Sequence, residues 1–210
     1  MDGLMFDTEF AYSVVQEKMC SKRGVVFSLE MKNKLMGKRA NEVMDLLREF
    51  WLGSETVEEL LVEQDGDLVR LYNLEVQKLY GLDQLLESLG NAGVRKCIGT
   101  SSRRFLVDVL LNRFDLQSEF EFVISGDDVK RGKPDPEIYN KCVRSLGLDA
   151  SECLVLEDSR NGILSGKSAG CHAVAIPYTY TNNEDFSPAD LVVTSLADNR
   201  LTKLALNDEG

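Results

Sequence analysis

The sequence predicts an α/β fold, a doubly wound parallel sheet with a helical segment inserted near its start. Three observations predict it. From Gly81 onward, short apolar runs alternate with helical patterns, the signature of βαβ units. From Phe10 to Tyr80 no strand pattern occurs. Finally, the apolar run Cys153-Leu154-Val155-Leu156 stops abruptly on Glu157-Asp158, with a helix-like stretch behind it. Buried parallel strands read as continuous apolar runs, and in open α/β sheets ligands bind beyond their carboxyl ends.

The chain opens Met1-Asp2-Gly3-Leu4-Met5-Phe6-Asp7-Thr8-Glu9, with a turn signal at Asp2-Gly3. Ala11, Val14, Val15, Lys18 and Met19 then share one helical face, closed off near Gly24. Ser28 suits the N-cap of a short helix that stops at Gly37, and Arg39 to Trp51 carries Val43, Leu46, Leu47 and Phe50 at helical spacing. Thr56-Val57-Glu58-Glu59 is a capping-box pattern ahead of a long helix with Leu60, Leu61, Leu68, Leu71 and Leu74. Together these form a predicted helical subdomain.

After Gly81 a helix runs from Leu82 to Leu89, and Val94 to Gly99 is a predicted strand ending on Thr100-Ser101-Ser102. A helix with Phe105, Leu106, Val109 and Leu110 leads to a strand at Phe120 to Ile124. Pro136 to Leu146 reads as a helix with proline in its first turn and Asp135 as N-cap. The strand at Cys153, a helix to Ala169, and strands at Ala173 to Ile176 and Leu191 to Val193 complete the pattern. The stretch from Ser187 to Gly210 carries no chemical signal.

Composition narrows the function classes. The 210 residues are 43% apolar, enough for a substantial core, and carry a net charge of -11. Such a charge disfavours nucleic acid and anionic membrane surfaces as partners. Cys20, Cys97, Cys142, Cys153 and Cys171 are odd in number and scattered, which fits reduced thiols in a cytoplasmic protein. No membrane-spanning run or signal-like leader is present, so a soluble monomer is expected. His172 is the only histidine and reads as structural, which excludes a histidine-based triad or a multi-histidine metal site.

Each candidate site residue has two readings. Glu157 and Asp158 repel one another unless a cation lies between them, and their oxygens suit Mg²⁺; acids are also favoured at a helix N-terminus. Thr100-Ser101-Ser102 can cradle an anion with a hydroxyl and free N–H groups, or can simply cap the next helix. Lys133, in Arg131-Gly132-Lys133-Pro134-Asp135-Pro136, is a candidate cation in a proline-stiffened loop or a solvated side chain.

Taken jointly, the strings MDGLMFDTE, CIGTSS, GKPDPEIY and LVLEDSRNGI resemble the haloacid dehalogenase (HAD) superfamily of phosphotransferases. The resemblance covers nearly the whole chain and is closest to the branch of β-phosphoglucomutase and pseudouridine-5'-phosphatase. It implies a HAD-like Rossmannoid core at 1–11 and 80–210, with residues 12–79 as a helical cap. The expected linkers lie near Phe10 and Tyr80, with Gly81 a candidate hinge.

The resemblance further implies a Mg²⁺-dependent phosphatase of small phosphorylated metabolites, sugar or nucleoside monophosphates, working through an aspartyl-phosphate. Asp2 matches the second aspartate of the D-x-D-G motif, the acid and base of the reaction, with its main-chain carbonyl on the metal. Thr100 and the Ser101 N–H would hold the phosphoryl group, and Lys133 would neutralise it. Asp158 would bind Mg²⁺, with Glu157 as a ligand or as the group that orients one. Leu35-Met36-Gly37-Lys38-Arg39 matches the substrate-specificity loop, so Lys38 or Arg39 would meet the substrate, unless they are a solvated helix start. Tyr12 stands where the mutases of this branch carry histidine, which favours a phosphatase over a phosphoglucomutase-like isomerase.

One departure matters. The nucleophile is the first aspartate of D-x-D-G, and Met1 occupies the x. The strand carrying it lies mid-sheet in the family, between those ending at Thr100 and Glu157. Without it the two neighbours would stand about 10 Å apart rather than about 5 Å, with unpaired edges. Negligible activity and poor folding are therefore expected from Met1 onward, with a start lying upstream. A non-catalytic HAD-fold protein is the other expectation.

Overall fold

The structure, a computed structural model, describes residues 1–35 and 38–206. Met36 and Gly37, and with them the predicted stop of the second helix and the middle of the specificity loop, lie outside the described residues, as do residues 207–210.

The first residues form a tight turn, with the N–H of Met5 donating to the Met1 carbonyl at 2.8 Å and that of Gly3 to Phe6 at 3.0 Å. Phe6 bridges antiparallel to Lys78, which ties the turn to the far end of the helical segment. The helices follow as their periodicity dictates. Helix α1 (Glu9–Lys22) buries Ala11, Val15, Met19 and Cys20. Helix α2 (Leu29–Leu35) starts where the Ser28 hydroxyl accepts from the Met31 N–H, and α3 (Ala40–Trp51) buries Val43, Met44 and Leu47. Helix α4 (Val57–Leu74) opens on the predicted capping box, Thr56 Oγ1 accepting from Glu59 N at 3.2 Å and Glu59 Oε2 from Thr56 N at 2.8 Å. Against α4 pack α1, α3 and, from the sheet domain, α6 (Arg104–Arg113). One continuous core therefore joins Met19, Leu47 and Leu68 to Leu86, Leu106 and Leu201.

Beyond Gly81 come α5 (Leu82–Asn91), β1 (Ile98–Gly99), β2 (Val123–Ile124) and α7 (Glu137–Leu146), followed by β3 (Leu154–Glu157), α8 (Arg160–Ser168), β4 (His172–Ala175) and β5 (Leu191–Val192). All strand pairs are parallel, as βαβ crossovers require. They form not one sheet but two, β1-β2 and β3-β4-β5. Between β1 and β3 lies a cavity of about 510 Å³.

Three expectations are corrected. The strand expected over 94–99 is regular only at Ile98–Gly99, because it pairs on one edge alone. Helix α7 begins at Glu137 with Pro136 as its N-cap; the Asp135 carboxylate still accepts from the Glu137 N–H at 3.0 Å. A helix that the patterning missed, α9 (Asn199–Ala205), is capped by Asp198 and packs on α5 through buried Leu201.

Gly81 has φ +91°, and a Cβ placed there would lie 2.2 Å from the backbone nitrogen of Ala197. Close packing against the Leu196–Ala197 segment explains the glycine. Gly81→Ala is therefore expected to destabilise the fold by about 2 kcal/mol or more, read as a lower urea midpoint at unchanged m-value.

Candidate active site

Every candidate residue but Lys38 gathers around the carboxyl ends of the parallel strands. Asp2 sits in the first turn, where its carboxylate accepts from Thr8 Oγ1 at 2.8 Å, Ser102 Oγ at 2.6 Å and Thr100 Oγ1 at 3.4 Å. Thr100 is buried and its hydroxyl also accepts from the Ser102 N–H at 3.2 Å, which curls the loop after β1 over Asp2. Ser101 lies on the exposed side of that loop. The loop is held by the Gly126 N–H donating to the Ser102 carbonyl at 2.9 Å. A Cβ at Gly126 would stand 2.2 Å from the Ser101 carbonyl oxygen, so only glycine permits the approach.

Lys133 spans the two half-sheets. Its ammonium donates to the Gly99 carbonyl of β1 at 3.2 Å and to the Glu157 carboxylate at the end of β3, and stands 5.0 Å from the centre of the Tyr139 ring. The lysine side chain is 11% exposed and the glutamate 6%, so this is a buried ion pair and Lys133 is not a solvated side chain. Glu157 also accepts from the Tyr139 hydroxyl and from Ser159 Oγ. It fills the space a side chain at Gly162 would need, since a Cβ there would lie 2.0 Å from the Glu157 carboxyl carbon.

The two adjacent acids titrate in opposite directions. Burial pushes the Glu157 carboxyl up, but Lys133, the Met1 amino group and the Tyr139 hydroxyl together hold it below the usual carboxylate range. Asp158 is raised well above that range, first by burial and then by the charge of Glu157. Asp158 Oδ2 lies against Gly3, whose φ is +62° and whose added Cβ would stand 2.3 Å from that oxygen. The Asp2-Gly3 turn and Asp158 are thus in contact. No three acidic, cysteine or histidine side chains converge as a metal cage among the described residues.

From the helical segment, Arg39 reaches the sheet domain. Its Nη1 donates to the Lys130 carbonyl at 2.9 Å, and its side chain lies over Gly132, next to Lys133. A cavity of about 280 Å³ is lined there by Arg39, Glu42, Ser101, Lys130, Arg131 and Lys133. Lys38 is exposed and lines no part of it. Sequence reasoning missed Tyr139 and Glu9, and placed Ser102 in the loop without its bond to Asp2. Burial and the nearby Asp2 charge raise the Glu9 carboxyl. Glu9 sits in the string MDGLMFDTE, so its place was visible although its burial was not.

The matching family model covers residues 1–176 and is that of the haloacid dehalogenase-like hydrolases. The chain belongs to this family. It is 32% identical over 206 residues to (DL)-glycerol-3-phosphatase 2 of Arabidopsis thaliana, covering 94% of this chain and 85% of that protein. To hexitol phosphatase B of Escherichia coli it is 27% identical over 207 residues, covering 94% and 90%. The β-phosphoglucomutase of Clostridium difficile superposes with a TM-score of 0.82 at 22% identity, covering 99% of this chain and 94% of that one, a likeness of fold.

Removing one partner of the buried pair leaves a charge uncompensated. Lys133→Met is expected to cost about 3–5 kcal/mol in urea unfolding, with most of it regained in Lys133→Met/Glu157→Gln. The Glu157 carboxyl has a folded pKa below its ordinary 4.5, so its stabilisation is complete above that pH. Stability should fall as pH drops from there through the lowered value, and Glu157→Gln should flatten that decline.

Proposed function

We propose that this chain has the site of a Mg²⁺-dependent hydrolase of phosphate monoesters of small metabolites, working through an aspartyl-phosphate whose aspartate is not among these 210 residues. The observation that carries the reading is the hydrogen-bonded arc of Asp2, Thr100 and Ser102, set beside Lys133 and in contact with Asp158 through Gly3. That arrangement offers hydroxyls, an ammonium and a carboxylate to one phosphoryl group. The phosphatase names of the Arabidopsis and Escherichia coli relatives support the same substrate class.

In this reading an aspartate carboxylate attacks phosphorus and the bond to the alcohol oxygen breaks, Asp2 delivering the proton that the leaving oxygen needs. Asp2 then takes a proton from water as that water attacks phosphorus, and inorganic phosphate departs. Thr100 and the Ser101 N–H orient the phosphoryl oxygens. Lys133 offsets their charge while Glu157 holds it in place.

The donor set fits a hard cation. Asp158 is half-buried, its carboxyl is raised, and it makes no side-chain hydrogen bond among the described residues, so a divalent ion would relieve it. When bound, Mg²⁺ supplies charge neutralisation on the phosphoryl oxygens. Asp158 and the Asp2 carbonyl are its proposed ligands. Glu157, committed to Lys133, Tyr139 and Ser159, is the group that orients them.

Residues 12–79 act as the cap, with Arg39 its contact to substrate near Lys133. Lys32 of α2 donates to Ser13 Oγ within the cap at 2.7 Å and makes a second tie across the boundary, its ammonium 4.0 Å from the Tyr180 ring centre. Tyr12, where a mutase would carry histidine, lies among Asp2, Tyr72 and Ser102, and burial pushes its phenol up. A group held neutral there suits a phosphatase. Five unpaired cysteines support a reducing compartment such as the cytoplasm.

Phosphate release from glycerol, hexitol, sugar and nucleoside monophosphates tests the reading, in protein supplied with an aspartate directly ahead of Met1. Asp2→Asn should lower kcat by about 10²–10⁴ with little change in KM. Turnover indifferent to Asp2→Asn and Thr100→Val would sink it. Mg²⁺ should raise Tm in the parent, much less in Asp158→Asn, and nearly normally in Glu157→Gln. Equal and negligible effects of both substitutions would count against the acidic pair as a metal site.

A further inference from the structure

Four of the five cysteines, Cys97, Cys142, Cys153 and Cys171, line the cavity of about 510 Å³, and none belongs to the candidate active site. Two of them face one another. The ladder to β2 keeps the chain extended from Lys96 to Thr100. The Glu121 N–H donates to the Lys96 carbonyl at 2.9 Å, and Ile98 and Thr100 donate to the carbonyls of Phe122 and Ile124 at 3.2 and 3.0 Å. Side chains of an extended strand alternate, so Arg95, Cys97 and Gly99 share one face. Lys96 turns the other way, its ammonium donating to the Leu86 carbonyl of α5 at 3.3 Å.

The face of Arg95, Cys97 and Gly99 lies on α7, and its two ends fix the register. At one end Arg95 Nη1 donates to the Leu146 carbonyl at 2.6 Å. At the other, a Cβ on Gly99 would stand 3.2 Å from Cys142 Sγ and 3.2 Å from Tyr139 Cε1. Strand and helix therefore run past each other in opposite directions, and Cys97, midway along the strand, falls opposite Cys142. The two thiols share a proton. Its hydrogen bond to Cys142 raises the Cys97 thiol, and the same bond, helped by the Lys133 charge, holds Cys142 below the ordinary thiol range in spite of burial.

We propose that Cys97 and Cys142 are a redox-active thiol pair, which hydrogen peroxide or an organic hydroperoxide converts to a disulfide joining the β1 segment to α7. The Cys142 thiolate attacks one peroxide oxygen and the O–O bond breaks. Cys142 becomes a sulfenic acid, and the released oxygen takes a proton and leaves as water or alcohol. The Cys97 sulfur then attacks the Cys142 sulfur, and its proton departs with the sulfenic oxygen as a molecule of water. Two thiols together give up two electrons, and one peroxide accepts them. The new bond lies beside the buried ion pair. Tyr139, one turn before Cys142, donates to Glu157, and Gly99, two residues past Cys97, accepts from Lys133. Closing the disulfide therefore fixes the spacing of the two elements that hold that pair. The proposal rests on the register of strand and helix and stands apart from the phosphatase reading.

Treating the folded full chain with hydrogen peroxide, then alkylating it and mapping its peptides without reductant, tests the proposal. One cross-linked peptide carrying Cys97 and Cys142 is expected, with the intact mass lower by about 2 Da. Tm should rise by ~8 °C, and dithiothreitol should reverse both changes. In Cys97→Ser the sulfenic acid on Cys142 has no partner, so it should take up dimedone ~10-fold faster than Cys97 does in Cys142→Ser. Cys153→Ala and Cys171→Ala should leave the link intact. In the parent chain, a link through Cys153 or Cys171 in place of this one would overturn the proposal. So would disulfide-bonded dimers, sulfinic acid on Cys142 without a link, or five thiols still free after treatment that fully oxidises glutathione.

Discussion

A single ammonium group, that of Lys133, holds the carboxyl end of this molecule together. It meets the last carbonyl of β1 and the last carboxylate of β3, and so bridges two sheets that share no backbone hydrogen bond there. Thr100 follows Gly99 directly and Asp158 follows Glu157, so the spacing of the site is set by where Lys133 draws the two strand ends. A buried charge of this kind persists only when fully matched. Here the matching extends outward: Glu157 binds Tyr139 and Ser159, and Ser159 caps α8 by accepting from the Gly162 N–H at 3.1 Å. The ion pair, the start of a helix and the pose of a phenol are one unit.

How much of this was legible depended on how local the cause was. Thr56 and Glu59 lie three residues apart, so their capping box could be read and is present. Asp198 is an equally local cap, but the short helix behind it buries only Leu201, too little periodicity to stand out in the tail. The carboxyl ends of the strands were legible because apolar runs stop on polar residues. Strand length was not, because β1 needs two partners to stay regular and has one. The site divides in the same way. Asp2, Thr100, Lys133 and Asp158 stand out as types in a known order, whereas the rotamer of Glu157 is decided by Gly162 and Tyr139. Arg39 could be placed on its loop, but its reach to Lys130 depends on how α3 meets the sheet domain.

The neighbouring acids show how little a residue type says about its charge. Glu157 and Asp158 are adjacent in sequence, the first buried and the second half-buried, yet one is held low and the other pushed high. The difference is partners: an ammonium, a phenol and a hydroxyl for the first, and the flank of Gly3 for the second. Under the function proposed above this contrast has a use, since a site for a phosphoryl group needs one charge neutralised and another still seeking a cation.

The paired but incomplete sheets also bear on colloidal behaviour. Exposed strand edges are templates through which separate molecules zip together, and sheet proteins ordinarily blunt them with lysine, proline or closure. Here Lys133 meets the Gly99 carbonyl, but the edge residues Leu154 and Leu156 offer no such gatekeeper. The opposing force is global: a net charge of -11 makes each copy repel the next. That repulsion reaches about 10 Å at 0.1 M salt and about 3 Å at 1 M. Concentrated salt would therefore strip away the shield and leave the bare edges to find one another, so handling at low ionic strength preserves dispersed molecules.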